Sequence, residues 1–271
     1  MTIETPWIID SFKLEKLIND NHVVIVDISS KDSYHTQHIP GAVFIDYASI
    51  VKHEPPVFGM LPDEMQFSQA LSNVGIKPND YLVIYDEEGG GKASRLMWTL
   101  EIAGHKKMSL LNGGIINWVA EGKAVSHETF NLPTSDYPVQ YDNMDGVANA
   151  EYILENLNNN NVTILDTRSM NEFVGTDVRA SRAGHIPSAI NIDWLLFKDA
   201  SSQRLIESTA LNKLLTNNGI EKNKEIIVHC HSHHRSALVY VVLKYLGFEK
   251  IKAYPASWSD WASRPNTPIE N

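Results

Sequence analysis

The chain has 271 residues, 43% of them hydrophobic, with 23 basic and 33 acidic side chains and a formal net charge of −10. That length admits two ordinary domains with apolar cores, and the acidic balance lacks the basic face that a nucleic-acid partner requires. No stretch of about 18 apolar residues is available to span a membrane, and the opening Met-Thr-Ile-Glu-Thr-Pro-Trp has neither the basic nor the apolar region of a secretory signal. The single cysteine, Cys230, cannot form an internal disulfide. It suits a reducing, cytoplasmic setting and leaves a free thiol to explain.

In chain order, Val23-Val24-Ile25-Val26-Asp27 is a short apolar run that predicts a buried strand ending in a carboxylate. His38-Ile39-Pro40-Gly41 follows as a turn. Pro62-Asp63-Glu64 opens a helix through Leu71, which Gly75 ends. Tyr81 to Tyr85 predicts a second strand, and Asp86 then leads through a Gly-rich loop into a helix over 92–103, stopped by Gly104. Gly89-Gly90-Gly91-Lys92 lacks the Walker spacing of a phosphate loop, and Asp86-Glu87-Glu88 would repel phosphate. Arg95 and Trp98 on this helix read as packing residues. A strand over 108–111 and a short helix over 115–120 complete the first half. Residues 131–144, with Pro133 and Pro138, show no period and read as a linker.

The second half repeats the pattern. Val162 to Asp166 matches Val23 to Asp27, His185-Ile186-Pro187 matches His38-Ile39-Pro40, and Ile226 to Leu246 matches the strand and helix that flank Asp86. The separations are nearly constant: 139 residues from 27 to 166, 147 from 38 to 185 and 144 from 86 to 230. Such self-similarity marks a duplication. Alternating strands and helices imply an α/β fold, each domain a mostly parallel sheet with helices on both faces. His38 and His185, like Asp27 and Asp166, occur in both halves, which favours a structural role at turns and strand ends. Arg168 reads as structural or rim.

Cys230 ends the buried run Ile226-Ile227-Val228 and precedes a helix beginning near Arg235. Ligands in open parallel sheets gather beyond the carboxyl ends of strands, and N–H groups at a helix start stabilise a thiolate. The backbone from His231 to Arg235 is therefore a candidate anion cradle. Arg235 could close it or pair with a carboxylate. Ser232 is a candidate donor to a leaving group, and His231, His233 and His234 add potential cations. No metal is expected of the tract His229, Cys230, His231, His233 and His234, because four of these five lie in one short loop, whereas tetrahedral sites draw on separated pairs. The loop is Cys-x4-Arg, one residue shorter than the Cys-x5-Arg loop of protein tyrosine phosphatases and arsenate reductases. The smaller cradle suits a single sulfur atom better than a tetrahedral oxyanion.

Taken together, the strand-Asp followed by Gly184-His185-Ile186-Pro187, the Cys230 loop, and Ser257-Trp258-Ser259-Asp260-Trp261 with Pro268-Ile269-Glu270 resemble the tandem-domain rhodaneses, the thiosulfate and 3-mercaptopyruvate sulfurtransferases, over nearly the whole chain. The resemblance implies two tandem rhodanese-like domains: residues 1–130, catalytically silent with Asp86 in place of Cys; a linker, 131–144; and a catalytic domain, 145–271. It implies transfer of a sulfane sulfur from a small anionic donor to cyanide, a small thiol or a protein thiol through a Cys230 persulfide, without a cofactor. Thiosulfate is the favoured donor, since the loop is rich in potential cations. 3-Mercaptopyruvate is the alternative, since Ser232 matches that branch's Cys-x-Ser loop. In the mercaptopyruvate branch a substrate Arg follows Phe-x-Gly-Thr. Here Phe173-Val174-Gly175-Thr176 leads into a shortened stretch in which Arg179 or Arg182 could take that role. This sequence departs from the family at His233, where Gly is usual, and at Glu172, where a second Arg is usual. A phosphatase-like enzyme and a non-catalytic binding module are the remaining alternatives. A fused pair of domains supplies its own interface, so a monomer is expected.

Overall fold

The computed structural model describes residues 5–141 and 144–271. The first half runs β1 (Ile8–Ile9), α1 (Ser11–Leu17), β2 (Val23–Asp27), α2 (Lys31–Thr36), β3 (Val43–Phe44), β4 (Lys52–Glu54), β5 (Val57–Met60), α3 (Glu64–Asn73), β6 (Tyr81–Tyr85), α4 (Gly91–Ile102), β7 (Met108–Leu111) and α5 (Gly114–Ala120). The second half runs α6 (Ala150–Asn156), β8 (Val162–Asp166), α7 (Met170–Phe173), β9 (Ile190–Asn191), α8 (Ser208–Asn217), β10 (Glu225–His229), α9 (Arg235–Tyr245), β11 (Ile251–Ala253) and α10 (Ser257–Trp261). Helix starts follow local chemistry. Asp63 caps α3 by accepting the Gln66 N–H at 2.8 Å, and Ser169 and Glu172 close a reciprocal capping box on α7.

The chain divides into two compact units. The first holds a parallel sheet in the order β1-β7-β6-β2-β3. β2 lies beside β6, with Asp27 opposite Tyr85. The chain leaves β2 for β3 on one side and returns at β6 on the other, so the topological switch opens beyond the carboxyl ends of β2 and β6. β6 is buried on both faces, as a central parallel strand must be. Tyr81, Val83 and Tyr85 pack with Leu14 of α1 and Ile115 and Trp118 of α5. The alternate residues point to the opposite face, where α4 packs.

The second unit holds a parallel sheet in the order β11-β10-β8-β9. A single bridge from Val147 to Ala253 occupies the edge that β1 fills in the first. Ile164 and Ile227 pack with Ile153 of α6 and Trp258 and Trp261 of α10, while α9 packs on β10 and β11. The switch here lies between β8 and β10, and Cys230 stands directly beyond β10.

Two short segments group with the unit opposite to their position in the sequence: 52–60 with the second unit and 199–205 with the first. The first is the antiparallel β4–β5 hairpin, whose Phe58 N–H donates to Ser259 Oγ at 2.9 Å. In the second, the Leu205 N–H donates to Asn112 Oδ1 at 2.8 Å. Hydrophobic period reports which face of an element is buried, not which unit buries it, so neither placement is visible in the sequence.

Gly114 and Ser257 occupy matching positions at the start of α5 and α10, at φ +56° and +52°. A Cβ on Gly114 would overlap the carbonyl oxygen of Asp86. Gly114→Ala should therefore lower stability by about 2–3 kcal/mol through steric overlap and left-handed strain. A urea titration should show the midpoint falling with an unchanged slope.

Candidate active site

Cys230 is fully buried. Burial pushes its thiol pKa up. The positive charge of Arg235, the Ser236 hydroxyl, and the N–H groups of Ser236 and Ser232 outweigh that and hold it below the ordinary thiol value. The loop thus supplies what a buried thiolate needs: donors converging on sulfur and a nearby cation.

The loop is braced from α10. The Cys230 and His233 N–H groups both donate to Ser257 Oγ at 3.2 Å, and that hydroxyl donates to the Tyr254 carbonyl at 2.7 Å. Next along the helix, the Trp258 N–H donates to the Cys230 carbonyl at 3.1 Å and the Ser259 N–H to the His231 carbonyl at 3.0 Å. From the other side, Gly59 of β5 approaches so closely that a Cβ would overlap the Ser232 carbonyl oxygen. Phe58 lies 6.4 Å, ring to ring, from His231.

Arg235 pairs with a carboxylate. Its guanidinium grips Glu172 through both Nη atoms, at 2.5 and 2.9 Å. Glu172 is almost completely buried. Burial raises its pKa, but the Arg235 contact outweighs that and holds the carboxyl at about 2. Arg235 therefore acts on Cys230 as a fixed neighbouring charge whose fork is already engaged. Arg179 lies at the rim, 55% exposed, 2.9 Å from Asp177 and 3.9 Å from Glu172. Arg182 is spent on the C-terminal segment: it donates to the carbonyls of Ala262 at 3.0 Å, Thr267 at 2.9 Å and Trp261 at 2.9 Å, and also bonds Arg264 and the Thr267 hydroxyl.

The three loop histidines differ. His231 has its pKa lowered by burial and by the charge of Arg235. His233 is fully buried at φ +52° with Nδ1 2.8 Å from Ser236 Oγ. His234 is partly buried, its ring 5.9 Å from that of Trp194. Behind the loop, Arg168 pairs with Asp166 at 2.6 Å, donates to the Gly184 carbonyl at 2.9 Å and lies 4.4 Å from the Trp258 ring. His185 and His38 both bond a carbonyl through Nδ1 and stack on an aromatic ring. Among the described residues no group of three or more His, Cys, Asp and Glu side chains is arranged to hold a metal.

The matching loop of the first unit holds its own anion. Asp86 Oδ1 accepts the N–H groups of Glu88 at 3.0 Å and Gly90 at 2.8 Å, and Oδ2 accepts that of Ala93 at 2.9 Å. Burial and the charge of Glu88 nevertheless push the Asp86 carboxyl up to about 6. The carboxylate fills its cradle as the sulfur fills the other.

Residues 12–121 and 149–264 each match the family model of the rhodanese-like domain, and the chain belongs to that family. It is 34% identical over 267 residues to a thiosulfate sulfurtransferase of Pseudomonas aeruginosa, covering 98% of each chain. It is 36% identical to a thiosulfate sulfurtransferase of Azotobacter vinelandii, over 98% of this chain and 97% of that one. A 3-mercaptopyruvate sulfurtransferase of Escherichia coli is 28% identical, over 99% of each chain. A solved rhodanese-fold structure of an Escherichia coli 3-mercaptopyruvate sulfotransferase superposes with a TM-score of 0.82 at 27% identity, covering 94% of this chain and 99% of that one.

Sequence reasoning passed over Ser236 and Ser257. Both are small hydroxyl residues beside a helix start, and neither the left-handed backbone of Ser257 nor the approach of these oxygens to the loop can be read from the sequence. Glu172 stood out as a departure, but its partner could not be read from spacing.

The Glu172 carboxyl is depressed in the folded state, so its stabilising contribution is complete above the unfolded value near 4.5 and is lost as pH falls toward about 2. Wild-type protein should lose stability between pH 5 and pH 3 more steeply than Glu172→Gln, which should be the less stable of the two at pH 7. Urea midpoints across that range test both statements.

Proposed function

We propose that this protein is a sulfurtransferase in which Cys230 carries the transferred sulfur as a persulfide. The observation that carries the reading is the buried Cys230 thiol, held below its ordinary pKa by Arg235, Ser236 and loop N–H groups. The names and coverage of the relatives support the reaction class.

The Cys230 thiolate attacks the outer sulfur of an anionic donor. With thiosulfate, a new S–S bond forms to Cys230, the donor S–S bond breaks, and sulfite leaves with the bonding electron pair. The persulfide's negative charge then lies within reach of the loop N–H groups and the Arg235 charge. A thiophilic acceptor attacks the outer sulfur, and Cys230 departs as the thiolate. With cyanide the product is thiocyanate; with a small-molecule or protein thiol it is a persulfide. Asp86 has no counterpart of this step, because a carboxylate cannot accept a sulfane sulfur, so the first unit is catalytically silent.

Thiosulfate is the proposed donor. The relatives at 34% and 36% identity are thiosulfate sulfurtransferases, against 28% for the 3-mercaptopyruvate sulfurtransferase, which supports this choice. Arg182 has its donors engaged by the main chain, which leaves Arg179, exposed at the rim, as the arginine proposed to meet the donor. Ser232, two residues after Cys230 and half-buried, is the proposed donor to the leaving sulfite.

Incubation with thiosulfate should add one sulfur atom to the intact mass, and Cys230→Ser should abolish the gain. No gain with either thiosulfate or 3-mercaptopyruvate would refute the reading. Faster turnover with 3-mercaptopyruvate than with thiosulfate would reverse the donor assignment. Arg179→Ala should raise KM for thiosulfate several-fold with kcat little changed, as expected for a rim contact, and Arg182→Ala should mainly lower the melting temperature.

A further inference from the structure

We propose that Ser257 is the positioning residue of the Cys230 loop: its hydroxyl fixes the main chain of the reactive residue, an inference that rests on Cys230 being the sulfur-carrying nucleophile. A single oxygen holds both ends of the segment 230–233. The Cys230 and His233 N–H groups each donate to Ser257 Oγ at 3.2 Å, and the hydroxyl donates in turn to the Tyr254 carbonyl at 2.7 Å. Cys230, His233 and Ser257 are all fully buried, so bulk water does not compete for these bonds.

The capacity of a hydroxyl decides its role. It has one proton to donate and two lone pairs with which to accept. In Ser257 both lone pairs take loop N–H groups and the proton goes to Tyr254, so none of its bonds is left for a donor or an acceptor of sulfur. Ser257 acts through Cys230 and not on the substrate.

The next residue of α10 completes the hold. The Trp258 N–H donates to the Cys230 carbonyl at 3.1 Å. The N–H and the carbonyl of Cys230 are therefore both gripped, by consecutive residues of one element. They belong to the two planar peptide groups on either side of the Cys230 α-carbon. Fixing both planes fixes the Cα–Cβ bond that carries the sulfur. Displacement of one sulfur by another needs the attacking atom in line with the bond that breaks, and small misplacements cost rate steeply.

The first unit separates the two halves of this hold. There the Ile115 N–H donates to the Asp86 carbonyl at 3.1 Å, as Trp258 does to Cys230. Gly114 stands where Ser257 stands, at φ +56° against +52°, and brings no hydroxyl. The grip on the carbonyl is thus common to both units, and the hydroxyl grip on the N–H belongs to the unit that carries the thiol. Glycine meets a left-handed backbone without strain, so a serine at φ +52° calls for a compensating contact. The three bonds of its hydroxyl supply one.

Two substitutions separate positioning from stability. Ser257→Gly removes the hydroxyl and relieves the left-handed backbone, whereas Ser257→Ala removes the hydroxyl and keeps the strain. Ser257→Gly should therefore melt at the higher temperature of the two. In reactivity they should not differ. Alkylation of Cys230 by iodoacetamide at one fixed pH, with no sulfur donor present, should be about tenfold slower than wild type in both variants. With thiosulfate and cyanide, kcat should fall by about tenfold in both while KM changes little, because the rim contact proposed for Arg179 is untouched. Rates are compared below both melting transitions, and Ser257→Gly decides alone where Ser257→Ala does not fold. A Ser257→Gly protein that is alkylated as fast as wild type would overturn the assignment. So would rates that follow melting temperature, slow in Ser257→Ala and restored in Ser257→Gly. Failure of thiosulfate to add sulfur to the wild-type protein would overturn the transfer reading, while the alkylation rates would still decide the role of Ser257.

Discussion

A charged sulfur buried away from water has to be met by donors, and most of the second unit's fine structure follows from that constraint. Cys230 is fully buried, and burial by itself favours the neutral thiol. The opposing contribution comes from several sources acting on one atom: the N–H groups of Ser232 and Ser236, the Ser236 hydroxyl, and the Arg235 charge. Each source needs support of its own. Arg235 is mostly buried and is balanced by Glu172. Glu172 is itself anchored by the Ser169 capping box at the start of α7. A carboxylate on one short helix thereby holds the cation that lies beside the thiol just beyond β10. Removing either member of a buried, hydrogen-bonded ion pair leaves an uncompensated charge, so the surroundings of the Cys230 thiol depend on both residues.

Turning inward to present N–H groups requires left-handed backbone, and the two units meet that requirement differently. The first uses glycine at 89 and 114. The second places His233 and Ser257 at the corresponding positions. Strain at functional positions persists where the surroundings over-determine it, and here they do. Ser257 Oγ accepts two loop N–H groups and donates to Tyr254, while His233 is tied to Ser236. Glycine would relieve the torsion and lose the contacts.

The architecture was largely legible in the sequence because it rests on local signals. Strand Val23–Asp27, strand Tyr81–Tyr85 and their later counterparts are short apolar runs, and Gly104 and Gly247 stop the helices before them. Duplication made the reading robust, since each landmark could be checked against a second copy. The position of Cys230 directly beyond β10 was legible for the same reason. The remainder of the site was not, because it depends on contacts between residues far apart in sequence. Arg235 meets Glu172 across 63 positions, and Phe58 meets Ser259 across 201. A loop rich in histidine reads as cationic, but burial and the neighbouring Arg235 lower the His231 pKa. Of Arg179 and Arg182, equal candidates by spacing, one lies at the rim and the other is bonded to the chain's own carbonyls.

Asp86 provides the internal comparison that separates scaffold from chemistry. Its carboxylate accepts three N–H groups from the loop and helix start that follow it. The backbone cradle is therefore a property of the fold at the end of the central strand, present in both units and indifferent to which anion fills it. What distinguishes the second unit is not the cradle but the side chains set into the loop: a buried thiol in place of the carboxylate, and a buried imidazole bonded to Ser236 in place of glycine. A carboxylate in the same place, even one whose pKa is pushed up to about 6, accepts from the cradle through two oxygens, whereas a thiol offers it a single sulfur. Both side chains titrate in the same backbone setting, so the side chain and not the cradle separates the two loops.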